Sequence, residues 1–408
     1  MTYPMRAIKA SEFDAFRQAV ERGFGNHARP EDGEFTRENF FEFDRSLAAF
    51  DGTQIVGTAI ALSFRVTVPG AGPQPTGAVT MVTVQPTHRR RGILTEMMRM
   101  QLQDIRERGE ATASLWASES IIYRRFGYGM ATLSERWSIE RTRAGFAPPI
   151  TDTGRMRVAS PDEFKEAVPA IHDRAVARRP GMMPRTESMW AVRLRDPEHW
   201  RGGASALFFA LHSTGPVDDG YVMYRIRRDW RDGIPNSTIV IVELAGANPD
   251  VDAVLFNYCC NIDLTTTVES WNRPVDDAIW WRLADPRRLA RSPRDGLWLR
   301  IVDTPKALSA RRYSAEGRIV VAVQDEFVGL AGGRFEVEGG PDGATCRKTT
   351  RKADITLGPT ELASLYLGAV SARSLADAGR IVENSAGAID RTDLMFDWRP
   401  AAWCSQDF

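Results

Sequence analysis

At 408 residues the chain is too long for one ordinary core, and two to four domains of common size are expected. An apolar fraction of 43% beside 26% charged residues excludes a disordered chain. Fifty-three basic residues against 53 acidic ones leave no global field to draw in nucleic acid or an anionic membrane.

The first 145 residues alternate between strand and helix patterns. A short strand over 5–8 precedes a helix over 11–24, with Ser11 as its cap and Asp14 in capping-box spacing. Strands over 46–50 and 53–68 flank Asp51-Gly52, a hairpin signal. A third strand over 78–84 stops at Gln85-Pro86. The helix over 92–108 carries Ile93, Leu94, Met97, Leu102 and Ile105 near 3.6 spacing. A strand over 112–117, a short helix over 120–126 and a closing strand over 130–139 complete a mixed α/β unit.

After the break at Phe146-Ala147-Pro148-Pro149 the rhythm repeats, to about residue 294. A helix is predicted over 162–177, hairpin strands over 207–211 and 221–225 around Asp219-Gly220, and a strand over 239–244 leading to a helix over 251–260. This second strand–loop–helix has no arginine in its loop and carries Asp250 and Asp252 at the helix start. The last region, 295–408, opens with a strand over 297–301 and a helix over 304–310. Strands over 317–324, 333–338 and 353–357 follow, then helices beginning at Pro359 and Ser374.

Four cysteines, of which Cys259 and Cys260 are adjacent, and five scattered histidines give neither a disulfide framework nor zinc spacing, so no structural metal is expected. No apolar run reaches the roughly 18–20 residues of a membrane helix, and the N-terminus lacks a signal-peptide core. A cytoplasmic protein is expected, with secretion by a route lacking a signal peptide left open.

The stretch with chemical content is Val82-Thr83-Val84-Gln85-Pro86-Thr87-His88-Arg89-Arg90-Arg91-Gly92 and the helix behind it. A diphosphate needs several donors and positive potential in one place. A helix N-terminus offers free backbone N–H groups and the positive end of the helix dipole. Gly92 permits close backbone approach, and the arginines add forked donors. A run of three arginines alone is more often a solvated face or part of a nucleic-acid patch. Its setting between a strand and a helix, with glycine at the turn, favours a diphosphate-bearing cofactor.

This stretch resembles the acetyl-CoA motif of the GNAT superfamily of N-acetyltransferases, Arg/Gln-x-x-Gly-x-Gly/Ala, departing from it at Leu94. With Leu94, and with Ala117-Ser118-Glu119-x-x-Ile122-Tyr123-x-Arg125-Phe126-Gly127-Tyr128-Gly129, the chain resembles the Eis (enhanced intracellular survival) acetyltransferases in particular. Asp295-Gly296-Leu297-Trp298-Leu299-Arg300, Ser364-Leu365-Tyr366-Leu367-Gly368-Ala369 and the terminal Asp407-Phe408 extend the likeness to the end of the chain. The resemblance implies an α/β (α+β) architecture of two tandem GNAT-type mixed sheets flanked by helices, with a C-terminal sterol-carrier-protein-like domain. The corresponding domains are 1–145, bearing the cofactor site, 146–294, lacking the motif, and 295–408, delivering the C-terminal carboxylate.

The resemblance further implies acetyl-CoA as acyl donor. Its contacts would be Val82, Thr83, Val84, Arg89, Arg90, Arg91, Gly92, Ile93, Leu94, Thr95, Ser118 and Glu119. It makes Tyr123 the general acid and the carboxylate of Phe408 the general base. Phe24, Asn26, Thr80, Trp116 and Asp407 are the expected acceptor-side residues; Trp116 and Asn26 depart from the family pattern and put acceptor choice in question. The implied acceptors are aminoglycosides and protein lysines, and the implied assembly is a homo-hexamer, with no nucleic acid or membrane partner. Without the resemblance, Tyr123 reads as a core tyrosine and the terminus as frayed. A lipid- or nucleic-acid-binding protein on the same scaffold is the alternative.

Overall fold

The computed structural model describes residues 3–408. Its N-terminal elements are β1 (Met5–Arg6), α1 (Phe13–Phe24), α2 (Pro30–Asn39), β2 (Ser46–Asp51), β3 (Gln54–Val68), β4 (Gly72–Val84), α3 (Ile93–Glu107), β5 (Thr112–Trp116), α4 (Ser120–Tyr123) and β6 (Gly129–Met130). Helix α1 is preceded by a 3-10 turn, and it is the Glu12 carboxylate that accepts the Lys9 amide at 2.8 Å, not the predicted Ser11–Asp14 box. Helix α2 has a weak apolar stripe, which is why periodicity missed it. β4 starts earlier than expected, running through Pro73 and Pro75 as a long hairpin partner of β3.

Strands β1 to β5 lie in chain order in one sheet, and Leu297–Ile301 enters between β5 and β6. β5 pairs antiparallel with that late strand, Leu297 opposite Trp116 and Ile301 opposite Thr112. The predicted closing strand over 130–139 is two strands in two sheets. Gly129–Met130 stays in the first sheet, while Leu133–Glu140 (β7) joins the central one, where Trp137 and Ile139 enter its core. An apolar alternation tells that a strand is half-buried but not which sheet accepts it. The compact units accordingly divide after Thr132 and before Gly296, rather than at 145: 1–132 belongs with 296–408, and 133–295 forms the other unit.

The central unit is a seven-stranded sheet of β7, β8 (Arg155–Ala159), β9 (Phe208–Thr214), β10 (Val217–Arg227), β13 (Ser237–Gly246), β14 (Thr265–Pro274) and β15 (Ala290–Asp295), with a small ribbon, β11 (Trp230–Arg231) and β12 (Ile234–Pro235), beside it in sequence. Helices α5 (Pro161–Arg178), α6 (Glu187–Leu194) and α7 (Pro249–Cys260) accompany it. Ser160 caps α5 and accepts the Glu163 amide. The hairpin expected at Asp219-Gly220 turns instead at Gly215, whose φ of 61° supplies the left-handed corner. Asp219 falls in a bulge inside β10, between Asp218 and Gly220.

Beyond Ile301 a five-stranded sheet, in the order 343–348, 333–340, 317–323, 355–357, 381–383, packs with the helices Thr304–Ala310, Pro359–Tyr366, Ala372–Asp377 and Ala388–Phe396. Fully buried Arg311 donates to the carbonyls of Leu365, Tyr366 and Phe396 at 3.3, 2.6 and 3.0 Å. These are the electronegative C-terminal ends of two helices, where a cation is favoured. The last clamp lies where the tail 397–408 begins.

Candidate active site

β4 and β5 run parallel, but they pair only at Thr76, Gly77 and Ala78 against Thr112, Ala113 and Ser114. Beyond Ala78 the two strands part. On its other edge β4 carries a bulge: Thr58 faces Thr83 and Ile60 faces Thr80, so the segment gains a residue between them. Met81 sits there at φ 52°, a left-handed conformation for a side-chain-bearing residue. Thr58 Oγ1 donates to the Met81 carbonyl at 2.8 Å and lies 2.7 Å from Thr83 Oγ1, which holds the bulge in place. Val82 and Val84 thus stand half-buried at an edge with no strand on its β5 side.

The chain then turns through Pro86–His88 into α3. Arg90 (φ 62°) and Gly92 (φ 83°) are both left-handed, folding the loop tightly against the helix start. A Cβ at Gly92 would meet no atom within 4 Å, so space lies open over the first turn. The leading N–H groups of α3 lack intrahelical acceptors by geometry and point toward that space. The loop is braced from below. His88 Nε2 is 3.1 Å from Asp51, its Nδ1 is 2.8 Å from Thr87 Oγ1, and Arg91 donates to the Tyr3 hydroxyl at 2.8 Å. Gln85 reaches α1 through the Ala19 carbonyl at 2.7 Å, and a Cβ on Gly23 would fall 2.4 Å from Thr83, so α1 seats directly on the bulge.

These features surround a cavity of about 580 Å³. Of the residues expected to meet the acyl donor, Val82, Thr83, Val84, Arg89, Arg90, Gly92, Ile93, Leu94, Thr95, Ser118 and Glu119 line it, together with Tyr123 and Phe24. Arg91 does not; its guanidinium is spent on Tyr3. Gly23, His88, Ile122 and Arg125 line it as well. Three of these stand inside the two stretches that carry the resemblance, whereas Gly23 has no signal in sequence, since only packing of α1 brings it there. Basic loop, helix N-terminus and open strand edge together suit an extended, diphosphate-bearing thioester. Arg89, Arg90 and the first amides of α3 would hold its phosphates, and the edge at Val82 and Val84 its amide arm.

Tyr123 lines this cavity as well. It is 6% exposed, and its hydroxyl is hydrogen-bonded to Ser118. Burial, with the nearby Glu119 charge, raises its phenol above the ordinary tyrosine value, against the opposing pull of that hydrogen bond. The proton therefore stays on at neutral pH.

Asn26, Thr80, Trp116, Asp407 and Phe408 do not line the cavity. Asn26 follows the left-handed Gly25 that ends α1, on the exposed surface. Thr80 and Trp116 belong to the opposite face of the sheet from α3. Cross-strand register puts Ile60 beside Thr80, Phe64 beside Thr76, and Thr76 beside Thr112, whereas Val79 and Leu115 join the core under α3. The chain terminus lies against that opposite face. The Phe408 ring packs edge-on to Phe64 at 5.2 Å, and the Trp116 indole N–H donates to the Gln406 carbonyl at 2.8 Å.

Comparison with known proteins agrees with this geometry. Residues 4–131 and 181–301 each match an acetyltransferase (GNAT) domain family, and residues 304–405 a sterol carrier protein domain. The chain is 38% identical over its full length, and that of its relative, to an uncharacterized N-acetyltransferase of Streptomyces avermitilis. It is 33% identical to N-acetyltransferase Eis of Mycobacterium tuberculosis over 354 residues, 85% of this chain and 84% of that one. The crystal structure of Eis1 from Mycobacterium abscessus superposes with a TM-score of 0.86 at 32% identity, covering 99% of this chain and 100% of that one. Fold and site define a GNAT acyltransferase, and the fold implies use of acetyl-CoA. Within that class the chain belongs to the Eis N-acetyltransferase family.

Among the described residues no helix is long and apolar enough to cross a membrane.

Proposed function

We propose that the chain transfers acetyl from acetyl-CoA to primary amines by direct attack, with aminoglycosides as the principal acceptors and protein lysines as a second class. Tyr123 serves as general acid and the Phe408 carboxylate as general base. Acetyl-CoA supplies an acetyl group activated as a thioester. The observation that carries the reading is the Tyr123 hydroxyl, kept protonated by burial in the wall of a cavity that the basic loop also lines. From there it can give a proton to a departing thiolate. The backbone N–H at Val82, on the open strand edge, is suited to polarise a carbonyl oxygen.

An amine is an ammonium ion at neutral pH and must lose a proton before it attacks. A free terminal carboxylate ordinarily titrates at about 3.3–3.7 and is a weak base. It gains strength when desolvated. The tethering of Gln406 by Trp116 and the seating of the Phe408 ring on Phe64 keep the half-buried terminus on the sheet. On the family resemblance the protein acts in the cytoplasm as a homo-hexamer; a monomer mass by light scattering would overturn the assembly.

The test is thiol release from acetyl-CoA with kanamycin-like and lysine-peptide acceptors. Tyr123→Phe is expected to lower kcat by roughly 10²–10⁴-fold, as loss of a general acid does. Removal of Phe408 should lower it comparably. Full activity in both variants would refute the mechanism, and turnover with neither acceptor would refute the substrate assignment.

A further inference from the structure

The turn that carries Tyr123 rests on groups from the far end of the chain. Tyr128 N donates to the Tyr123 carbonyl at 3.2 Å, and the two rings meet edge-on at 6.0 Å. Between them Gly127 is left-handed at φ 81°, and a Cβ there would lie 2.8 Å from Arg300 Nε and 2.9 Å from Pro359. The turn can therefore press directly on the Arg300 guanidinium. Arg300 is fully buried on the strand Leu297–Ile301. It donates to Asp325 at 2.6 Å and to the Ile301 carbonyl at 3.2 Å. Thr360 Oγ1 meets the Arg124 carbonyl at 3.3 Å, and a Cβ on Gly129 would collide with the Thr360 carbonyl at 2.0 Å. Phe126 packs on Phe327 at 5.1 Å.

A buried ion pair is weak evidence for stability. Its desolvation cost rivals its Coulomb gain, and an apolar pair of similar shape often does as well. This pair is also under-satisfied: Arg300 Nε, Asp325 Oδ1 and the Tyr128 hydroxyl are all buried without a hydrogen-bond partner. Its planar guanidinium instead offers a flat, rigid floor under a glycine turn, which no flexible side chain would match.

We propose that the buried Arg300–Asp325 pair is a positioning element for Tyr123, by which the sterol-carrier-like region sets the height and angle of the acid's turn. The inference rests on the reading of Tyr123 as general acid. Arg300 and Asp325 do not line the cavity, so their loss is expected to act through the turn of Tyr123.

The experiment compares Arg300→Met, Arg300→Lys, Asp325→Asn and Thr360→Val, each alone and combined with Tyr123→Phe, at saturating acetyl-CoA and acceptor. Arg300→Met and Asp325→Asn are expected to lower kcat about tenfold or more, while KM for acetyl-CoA stays within about twofold and Arg300→Lys recovers part of the loss. Thr360→Val should lower kcat about threefold, and it keeps the test in hand if the charge variants do not fold. In the Tyr123→Phe background the same substitutions should change kcat less than about twofold, because residues acting as one unit are not additive. Losses that multiply undiminished with that of Tyr123→Phe, or an unchanged kcat in the folded single variants, would overturn the positioning role. An unchanged kcat in Tyr123→Phe itself would instead remove the acid assignment on which it stands.

Discussion

The chain contains the same strand–loop–helix twice, and only one copy is open. In the first unit β4 leaves β5 after Ala78, and the gap stays free beside Val82 and Val84. In the central unit β13 likewise pairs with its parallel neighbour β14 only as far as Ile241. There the gap is bridged: Arg273 of β14 reaches the Leu244 carbonyl at 3.3 Å while paired with Asp277. The amide of Gly246 is taken by Asp252 at 2.7 Å, and the Gly246 carbonyl by Arg178 at 2.7 Å. The leading amides of α7, at Asp250 and Val251, are capped by the Asn248 side chain at 2.9 and 3.0 Å. These groups, the counterparts of those that face the open cavity, are satisfied from within. Backbone geometry therefore permits a cofactor slot, and the side chains that reach the gap, from the loop and from distant elements, decide whether it is open.

The comparison breaks most severely at Arg273. Arg273→Met strands the Asp277 carboxylate, which is 8% exposed, and should cost roughly 3–5 kcal/mol in the unfolding of the central unit. The loop there still lacks arginines, so calorimetry should continue to find one acetyl-CoA per chain. A second equivalent bound by the variant would mean that the bridge alone keeps the slot closed.

On the open side, Arg90→Asn tests charge without disturbing the loop, because asparagine tolerates the left-handed backbone that Arg90 adopts. Loss of one charge-assisted contact, about 1.5–3 kcal/mol, should weaken acetyl-CoA binding about 10- to 100-fold. Arg90 is exposed, so the melting temperature should hardly move. At Asn248 the roles are reversed. Asn248→Ala removes a helix cap, about 1 kcal/mol, lowering the melting temperature by roughly 2–4 °C while KM for acetyl-CoA is untouched.

How much of this contrast could be read beforehand differs between the two slots. Arg89 to Gly92 announce the open one, because anion binding needs residue types that few other roles demand in that order. The missing arginines announced that the second lacks such equipment. Arg273 and Arg178, which fill it, lie far from the loop in sequence and carry no local signal. The strand exchange was equally hidden, since Leu133–Glu140 and Leu297–Ile301 look like strands of the regions next to them, and long-range pairing alone assigns each to its sheet. The hold of the Trp116 indole N–H on the tail at Gln406, a contact 290 residues apart in sequence, carries no local signal either.

The smallest effect expected concerns Asp252, which fills the closed slot as an anion would. Burial pushes its carboxyl up to about 6, and the neighbouring Asp277 charge adds to the rise, although Arg273, Arg178 and the Gly246 amide pull the other way. The folded state therefore holds this proton more tightly than the unfolded chain between roughly pH 4 and 6. In that window the unfolded state binds fewer protons, so the contribution of Asp252 to stability falls as pH rises, and above pH 6 its ionised form is a net cost. Asparagine retains an oxygen for the Gly246 amide without the charge. The melting temperature of Asp252→Asn relative to the parent should accordingly be unchanged near pH 4 and rise by a few degrees toward pH 7. A difference that moved the opposite way would show that Arg273 and Arg178 hold Asp252 as the slot's resident anion, and that the closed copy keeps more of the open copy's electrostatics than its loop suggests.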